Sequence, residues 1–228
     1  MEPQTGRLDG PPREKIFNAP LIAVLVALSM PVLFMGQLRL ADFGMSLAFR
    51  PSDLASGHWG GLFTSMLLHG GWGHVGMNAV GAFAFGPPVA RLLRGAWGVV
   101  AFLALYVGGG VVGALGYGLL HLNSGDQLVG ASGAVFALIG ASTRLLGGQG
   151  GVLRLMDRRV LSAAAAWMLV NAAVGLIGFA PGTDGARIAW EAHAFGFVFG
   201  ILSIGPLGRI FGAQSRFASR DGMSDPDA

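Results

Sequence analysis

The sequence predicts an all-α, polytopic membrane protein built as a bundle of six transmembrane helices. Three observations carry that expectation: a shortage of charge, six long uncharged stretches, and an excess of glycine. Of the 228 residues, 53% are hydrophobic and 12% charged, where a soluble domain carries about 25% charged residues. Glycine accounts for 39 positions, more than twice the usual ~7%. Small residues let membrane helices approach closely where lipid supplies no hydrophobic drive between them. A flexible low-complexity chain would need Ser and Gln in bulk beside the glycine, and they are absent.

The six stretches free of Asp, Glu, Lys and Arg are 16–38, 60–90, 95–125, 127–143, 160–183 and 192–208. A crossing takes about 20 apolar residues. The fourth stretch is the shortest and opens in polar residues, which predicts a helix beginning near Ser132. Pro31 falls inside the first, where a membrane helix tolerates it. A cleaved signal peptide is the alternative for that first stretch. Its apolar run is longer than such an h-region and no A-x-A site follows, so an anchor is expected.

Charge placement predicts orientation. Arg7, Arg13, Lys15, Arg91, Arg94, Arg144, Arg154, Arg158, Arg159, Arg209, Arg216 and Arg220 lie before the first span, in alternate loops, or after the last. Only Arg39, Arg50 and Arg187 fall on the other side. This positive-inside bias puts both termini in the cytoplasm. It also accounts for the net charge of +3 without a nucleic-acid partner. The domain organisation expected is a cytoplasmic tail over 1–15, one membrane domain over 16–211, and a second cytoplasmic tail over 212–228. The absence of a targeting extension points to a bacterial plasma membrane. With no cysteine, disulfides and thiolate metal sites are excluded.

Polar side chains inside membrane spans are functional candidates by default. Here they are His69, His74, Asn78, Ser132 and His193. In the predicted topology these groups gather toward the non-cytoplasmic side. A single Ser or Asn in a span is more often hydrogen-bonded to a neighbouring helix; convergence of five groups from three helices argues for a site.

Ser132 sits in Gly130-Ala131-Ser132-Gly133, directly before an apolar run. Glycines permit a tight turn, and a helix N-terminus offers unpaired N–H groups to a developing anion. That suits an acyl-transfer nucleophile, which needs a base. His193, in Ala192-His193-Ala194-Phe195-Gly196, is the base expected, and the Gly196 and Gly200 spacing allows a neighbouring helix to come close. Glu191 points to a different face from His193, so a two-residue Ser–His pair is predicted. Phe136, one turn after Ser132, either stacks on His193 or packs as an ordinary core aromatic. His74 and Asn78, four residues apart, project from one helical face and suit an oxyanion hole together with the Ser132 N–H. His69 is expected to tie the preceding loop to the helix.

These residues resemble the rhomboid family of intramembrane serine proteases. The resemblance rests on His69-Gly70-Gly71-Trp72-Gly73-His74-Val75-Gly76-Met77-Asn78, Gly130-Ala131-Ser132-Gly133 and Ala192-His193-Ala194-Phe195-Gly196, with Leu62-Phe63-Thr64-Ser65-Met66 upstream. It spans roughly 16–211. It implies a six-helix fold with the serine opening a helix in a water-filled cavity below the outer membrane surface. It also implies hydrolysis of a peptide bond in or near the transmembrane segment of single-span or other membrane-protein substrates, preferably beside small or helix-breaking residues, with no metal and no cofactor. By position, Ser132 is the nucleophile, His193 the general base and acid, and His74 and Asn78 the oxyanion donors. Two departures stand out. Many relatives carry Trp-Arg where this chain has Trp59-Gly60-Gly61, and many carry Tyr at Phe136. The segment 39–59 is expected to flank the water cavity, and 180–189, with Gly182 and Gly185, to form a lid.

Three rivals remain on sequence grounds. A non-catalytic relative that binds membrane helices usually lacks the serine or histidine. A transporter or channel would show an inverted repeat or an intramembrane carboxylate. A metalloprotease would show a His-x-x-x-His pair, whereas His69 and His74 are five apart.

Overall fold

The computed structural model describes residues 21–40, 45–147, 151–178 and 188–212. The first 20 residues, all but Gly212 of the C-terminal tail, and 180–187 of the expected lid lie outside them. Seven helices are described: α1 (Leu21–Arg39), α2 (Gly61–Thr64), α3 (Trp72–Leu92), α4 (Gly95–Leu120), α5 (Ser132–Thr143), α6 (Arg158–Ile177) and α7 (Trp190–Phe211). Four of them, α1, α4, α6 and α7, are long and apolar enough to cross a membrane. The six-span expectation therefore rests, for the other two, on α3 and on the short apolar helix α5. α3 has 21 residues but is diluted by His74 and Asn78.

One boundary is corrected outright. The stretch 60–90 is not one helix. It forms α2 and a 3-10 turn over Ser65–Leu67, then breaks at Leu68, whose backbone is extended (φ −101°, ψ 154°), before α3 starts at Trp72. Gln37 of α1 clamps the break: its Nε2 donates to the His69 carbonyl (2.9 Å) and its Oε1 accepts from the His69 N–H (2.8 Å). The unpaired backbone groups of the break thus find partners inside the bundle, the condition for irregular backbone within a membrane. α5 begins at Ser132 as expected. α6 is opened by Asp157, whose carboxylate accepts from the Arg159 N–H (2.9 Å). Hydrogen bonds from the Arg159 guanidinium and backbone hold that carboxyl below the usual carboxylate range. Gly178 closes α6 in the left-handed region (φ 70°).

α5 forms the centre of the bundle. Nine of its 12 residues are buried, and it packs against α7, α4 and α3. α1 lies on α3 through Ala23, Ala27, Met30 and Phe34, a stripe repeating every three to four residues. Pro31 falls off that stripe and the helix runs through it. α6 is the most outward helix: of its residues only Val160 and Asn171 are buried.

Glycine sets how near the central helices come. A side chain at Gly196 would collide with the Gly133 carbonyl, one at Gly200 with the Ala137 carbonyl, and one at Gly140 with the Phe197 carbonyl. The backbones of α5 and α7 are therefore in direct contact, as the Gly196/Gly200 spacing predicts. α4 meets α5 in the same way, with Gly109 under Ala137. At the other end of α5, Arg144, counted in the sequence as a loop charge, is 8% exposed. Its guanidinium donates to the Leu153 carbonyl (2.9 and 2.8 Å) and the Ile201 carbonyl (3.1 Å), since a buried cation must be hydrogen-bonded.

Because the atoms opposing Gly200 are backbone, they cannot move aside as a side chain would. Gly200→Val is expected to destabilise the bundle by about 1–3 kcal/mol, the usual penalty of overpacking, read as a lower unfolding midpoint in detergent. Gly36→Ala, with open space around it, is expected to leave the midpoint unchanged or slightly raised.

Candidate active site

The segment leading into α5 is tied down at two points. Phe49 and Leu128 exchange backbone hydrogen bonds (3.1 and 2.8 Å), and the Gly130 N–H donates to the Ser65 carbonyl (2.9 Å). Phe49 is fully buried and packs with Leu62 and Ala114, so it forms a packed wall beside the site together with buried Ala48 and Pro51. Gly61 belongs to that wall: a Cβ there would sit 2.8 Å from the Phe49 Cα. Gly60 has open space around it. Gly130 adopts φ 120°, a conformation open to glycine and costly for other residues. The turn it makes delivers Ser132 to the first position of α5.

The Ser132 hydroxyl is hydrogen-bonded to His193 Nε2 at 2.8 Å, across the crossing of α5 and α7. The imidazole is held on two further sides. The Phe136 ring stacks on it, with centroids 4.4 Å apart and planes 5° from parallel, and Phe136 in turn meets the edge of Trp167 at 6.4 Å. The remaining ring nitrogen, Nδ1, hydrogen-bonds Asn171 Oδ1 of α6 at 2.9 Å. Asn171 is the residue sequence reasoning missed. It is an amide in the middle of the apolar stretch 160–183, and a polar side chain so placed is itself the signal.

Glu191 faces away from His193, as its position predicts, and meets His121 Nε2 at 3.3 Å. A small cavity beside the Ser132 hydroxyl is lined by Ser65, Met66, Gly110, Ala114, Gly133 and Ala192, among others.

His74 stands at the approach to Ser132. A Cβ on Gly130 would lie 2.5 Å from its Cε1 and 2.6 Å from its Nε2. The Gly70 N–H donates to His74 Nδ1 (3.4 Å), so a neutral ring carries its proton on Nε2, the atom beside Gly130. Asn78, one turn on, is 4% exposed, and its Nδ2 has no hydrogen-bond partner among the described residues. Leaving such a donor unmet costs about 1–3 kcal/mol. His69 is 1% exposed and meets His74 edge-on at 5.2 Å. It ties the loop through its backbone, held by Gln37, and both ring nitrogens lack a partner among the described residues. Among those residues no three His, Asp or Glu side chains gather as a metal site would require.

A helical membrane bundle with a serine hydroxyl hydrogen-bonded to an imidazole defines a class of protein equipped for nucleophilic chemistry inside a bilayer. The Rhomboid domain family matches residues 56–210, and the chain belongs to that family. It is also 40% identical over 63 residues to "Putative rhomboid protease YdcA" of Bacillus subtilis (strain 168). That match spans 28% of this chain and 30% of the relative.

Gly130→Ala combines an unfavourable φ with a clash against the His74 ring. It is expected to slow labelling of Ser132 by a fluorophosphonate at least tenfold while helical content by circular dichroism stays unchanged.

Proposed function

We propose that this protein is an intramembrane serine endopeptidase that hydrolyses a peptide bond in or near the transmembrane segment of other membrane proteins. The observation that carries the reading is the 2.8 Å hydrogen bond from the Ser132 hydroxyl to His193 Nε2, at a helix N-terminus and beside a cavity. Membership of the rhomboid family supports it.

In this mechanism Ser132 Oγ attacks the scissile carbonyl while His193 Nε2 takes its proton. The carbonyl oxygen becomes an oxyanion, held by the Ser132 N–H, His74 Nε2–H and Asn78 Nδ2–H. His193 then gives the proton to the leaving amine. Water, deprotonated by the same nitrogen, hydrolyses the acyl-enzyme and returns Ser132 to its hydroxyl form. Asn78 Nδ2 has no partner among the described residues, which supports its role, because such a donor is ready for charge that appears only in the transition state. Phe136 holds the imidazole plane by stacking, a task that needs no phenolic hydroxyl.

The same reading makes 16–211 one membrane domain of six spans, with tails over 1–15 and 212–228. Both termini lie in the cytoplasm of a bacterial plasma membrane, and the site opens toward the opposite face. The positive-inside charge distribution supports that orientation. Substrates are single-span or other membrane proteins with small or helix-breaking residues near the cleaved bond.

Purified protein in detergent, mixed with a single-span substrate, tests the assignment. Ser132→Ala and His193→Ala are each expected to abolish cleavage, and Asn78→Ala to lower turnover by about 10²–10³. Cleavage that survives Ser132→Ala would end the assignment. Substrate binding without cleavage in the wild type would favour a non-catalytic helix-binding protein.

A further inference from the structure

We propose that Asn171 is a positioning residue for His193, completing a Ser132–His193–Asn171 chain in place of the two-residue pair read from the sequence. This rests on the serine-endopeptidase reading above and deepens it.

The argument begins with the orientation of the Asn171 amide. One end faces the Trp190 backbone carbonyl at 2.8 Å, and the other faces His193 Nδ1 at 2.9 Å. A carbonyl can only accept a hydrogen bond, so the end facing Trp190 must be the NH₂ group. Oδ1 therefore faces the imidazole, and an amide oxygen can only accept. His193 Nδ1 must then be the donor, carrying the proton of the neutral ring. That leaves the Nε2 lone pair directed at the Ser132 hydroxyl, 2.8 Å away. The opposite tautomer would place an Nε2–H against the hydroxyl, with no lone pair to receive its proton, and would set a lone pair of Nδ1 against that of Oδ1. A single backbone carbonyl thus fixes the state of the ring two hydrogen bonds away.

Burial strengthens the constraint. Asn171 is 5% exposed, so water competes little for Oδ1, and hydrogen bonds of this kind gain strength where the local dielectric is low. The residue is carried on the most outward helix of the bundle. Three side-chain positions of α6, each one turn from the next, face the site region: Trp167 meets Phe136, Asn171 meets His193, and Gly175 admits the Trp190 ring, which a side chain there would strike. The seating of α6 and the orientation of the imidazole are therefore set by the same contacts.

The role differs from that of a buried carboxylate. A neutral amide fixes tautomer and orientation, yet adds no full negative charge to stabilise the imidazolium formed during attack. Asn171 touches neither substrate nor the reacting atoms, and acts only through His193.

The test uses the full chain in detergent with Asn171→Ala and Asn171→Asp, each checked for an unfolding transition near that of wild type. Asn171→Ala is expected to lower kcat about tenfold to a hundredfold, by analogy with removing a group that orients a metal-bound histidine, with KM within about twofold. Asn171→Asp keeps an acceptor for Nδ1–H but loses the N–H donated to the Trp190 carbonyl, and is expected to recover part of that loss. In ¹⁵N-histidine spectra near neutral pH, His193, assigned by the signal missing in His193→Ala, should carry its proton on Nδ1 in the wild type and lose that preference in Asn171→Ala. A kcat for Asn171→Ala within twofold of wild type, or a wild-type ring protonated on Nε2, would overturn the inference. If Asn171→Ala does not fold, the wild-type tautomer and the turnover of Asn171→Asp decide it. A wild type without Ser132-dependent cleavage would instead overturn the peptidase reading. The tautomer measurement needs no turnover, so the two failures are told apart.

Discussion

The structure depends on backbone touching backbone between α5 and α7. Side chains at Gly133, Ala137 and Gly140 on one helix and Gly196 and Gly200 on the other are absent or minimal, and each carbonyl fills the space the missing groups leave. In lipid, such contact is a principal source of attraction between helices, since hydrophobic burial favours none of them over the surrounding chains. Ser132 is adjacent to Gly133, and His193 is one turn from Gly196. The crossing that holds the bundle together is thus the crossing that sets the hydroxyl and the imidazole at hydrogen-bonding distance. A wider crossing would separate them before it unfolded anything.

Around that crossing the turn before Ser132 and the His74 ring are held by partners on neighbouring segments. His74 accepts from the Gly70 N–H with Nδ1, leaving Nε2 directed toward Gly130. The Gly130 turn is fixed by Ser65, and its neighbour Leu128 by Phe49. Asn78 Nδ2, like both ring nitrogens of His69, is buried without a hydrogen-bond partner among the described residues. The loop after α1, which the sequence reading expected to flank a water cavity, is part of this scaffold: without Phe49 against Leu128 and Gly61 against Phe49 the turn before Ser132 would have no wall.

The legible part of the site was its motifs. Ser132, His193, His74 and Asn78 stand out because a serine between glycines, or an imidazole in an apolar run, has no packing role that the sequence suggests. For Phe136, one turn after Ser132, the sequence left stacking on His193 and ordinary core packing open, and the structure shows the stacked ring. Asn171 was not found, although it obeys the same rule of polar groups in apolar helices. An amide carries no charge, so the stretch 160–183 stays free of Asp, Glu, Lys and Arg and no acid marks a third member there. The break at Leu68 was also hidden. Its backbone is satisfied by Gln37, 32 residues away, and no local pattern in an uncharged stretch reports such a partner.

By itself the sequence determined that the chain is a helical membrane protein, where most of its helices lie, and which polar side chains stand inside its apolar stretches. Those properties follow from what lipid excludes: charge, unpaired backbone and idle polar side chains all leave marks in composition and spacing. Only the tertiary structure decided which nitrogen of His193 meets Ser132, what holds the other, and where the backbone could leave its helix. These are relations between atoms on different helices, fixed by interhelical distance and by which group can donate and which can only accept, and the order of residues along one chain does not encode them locally.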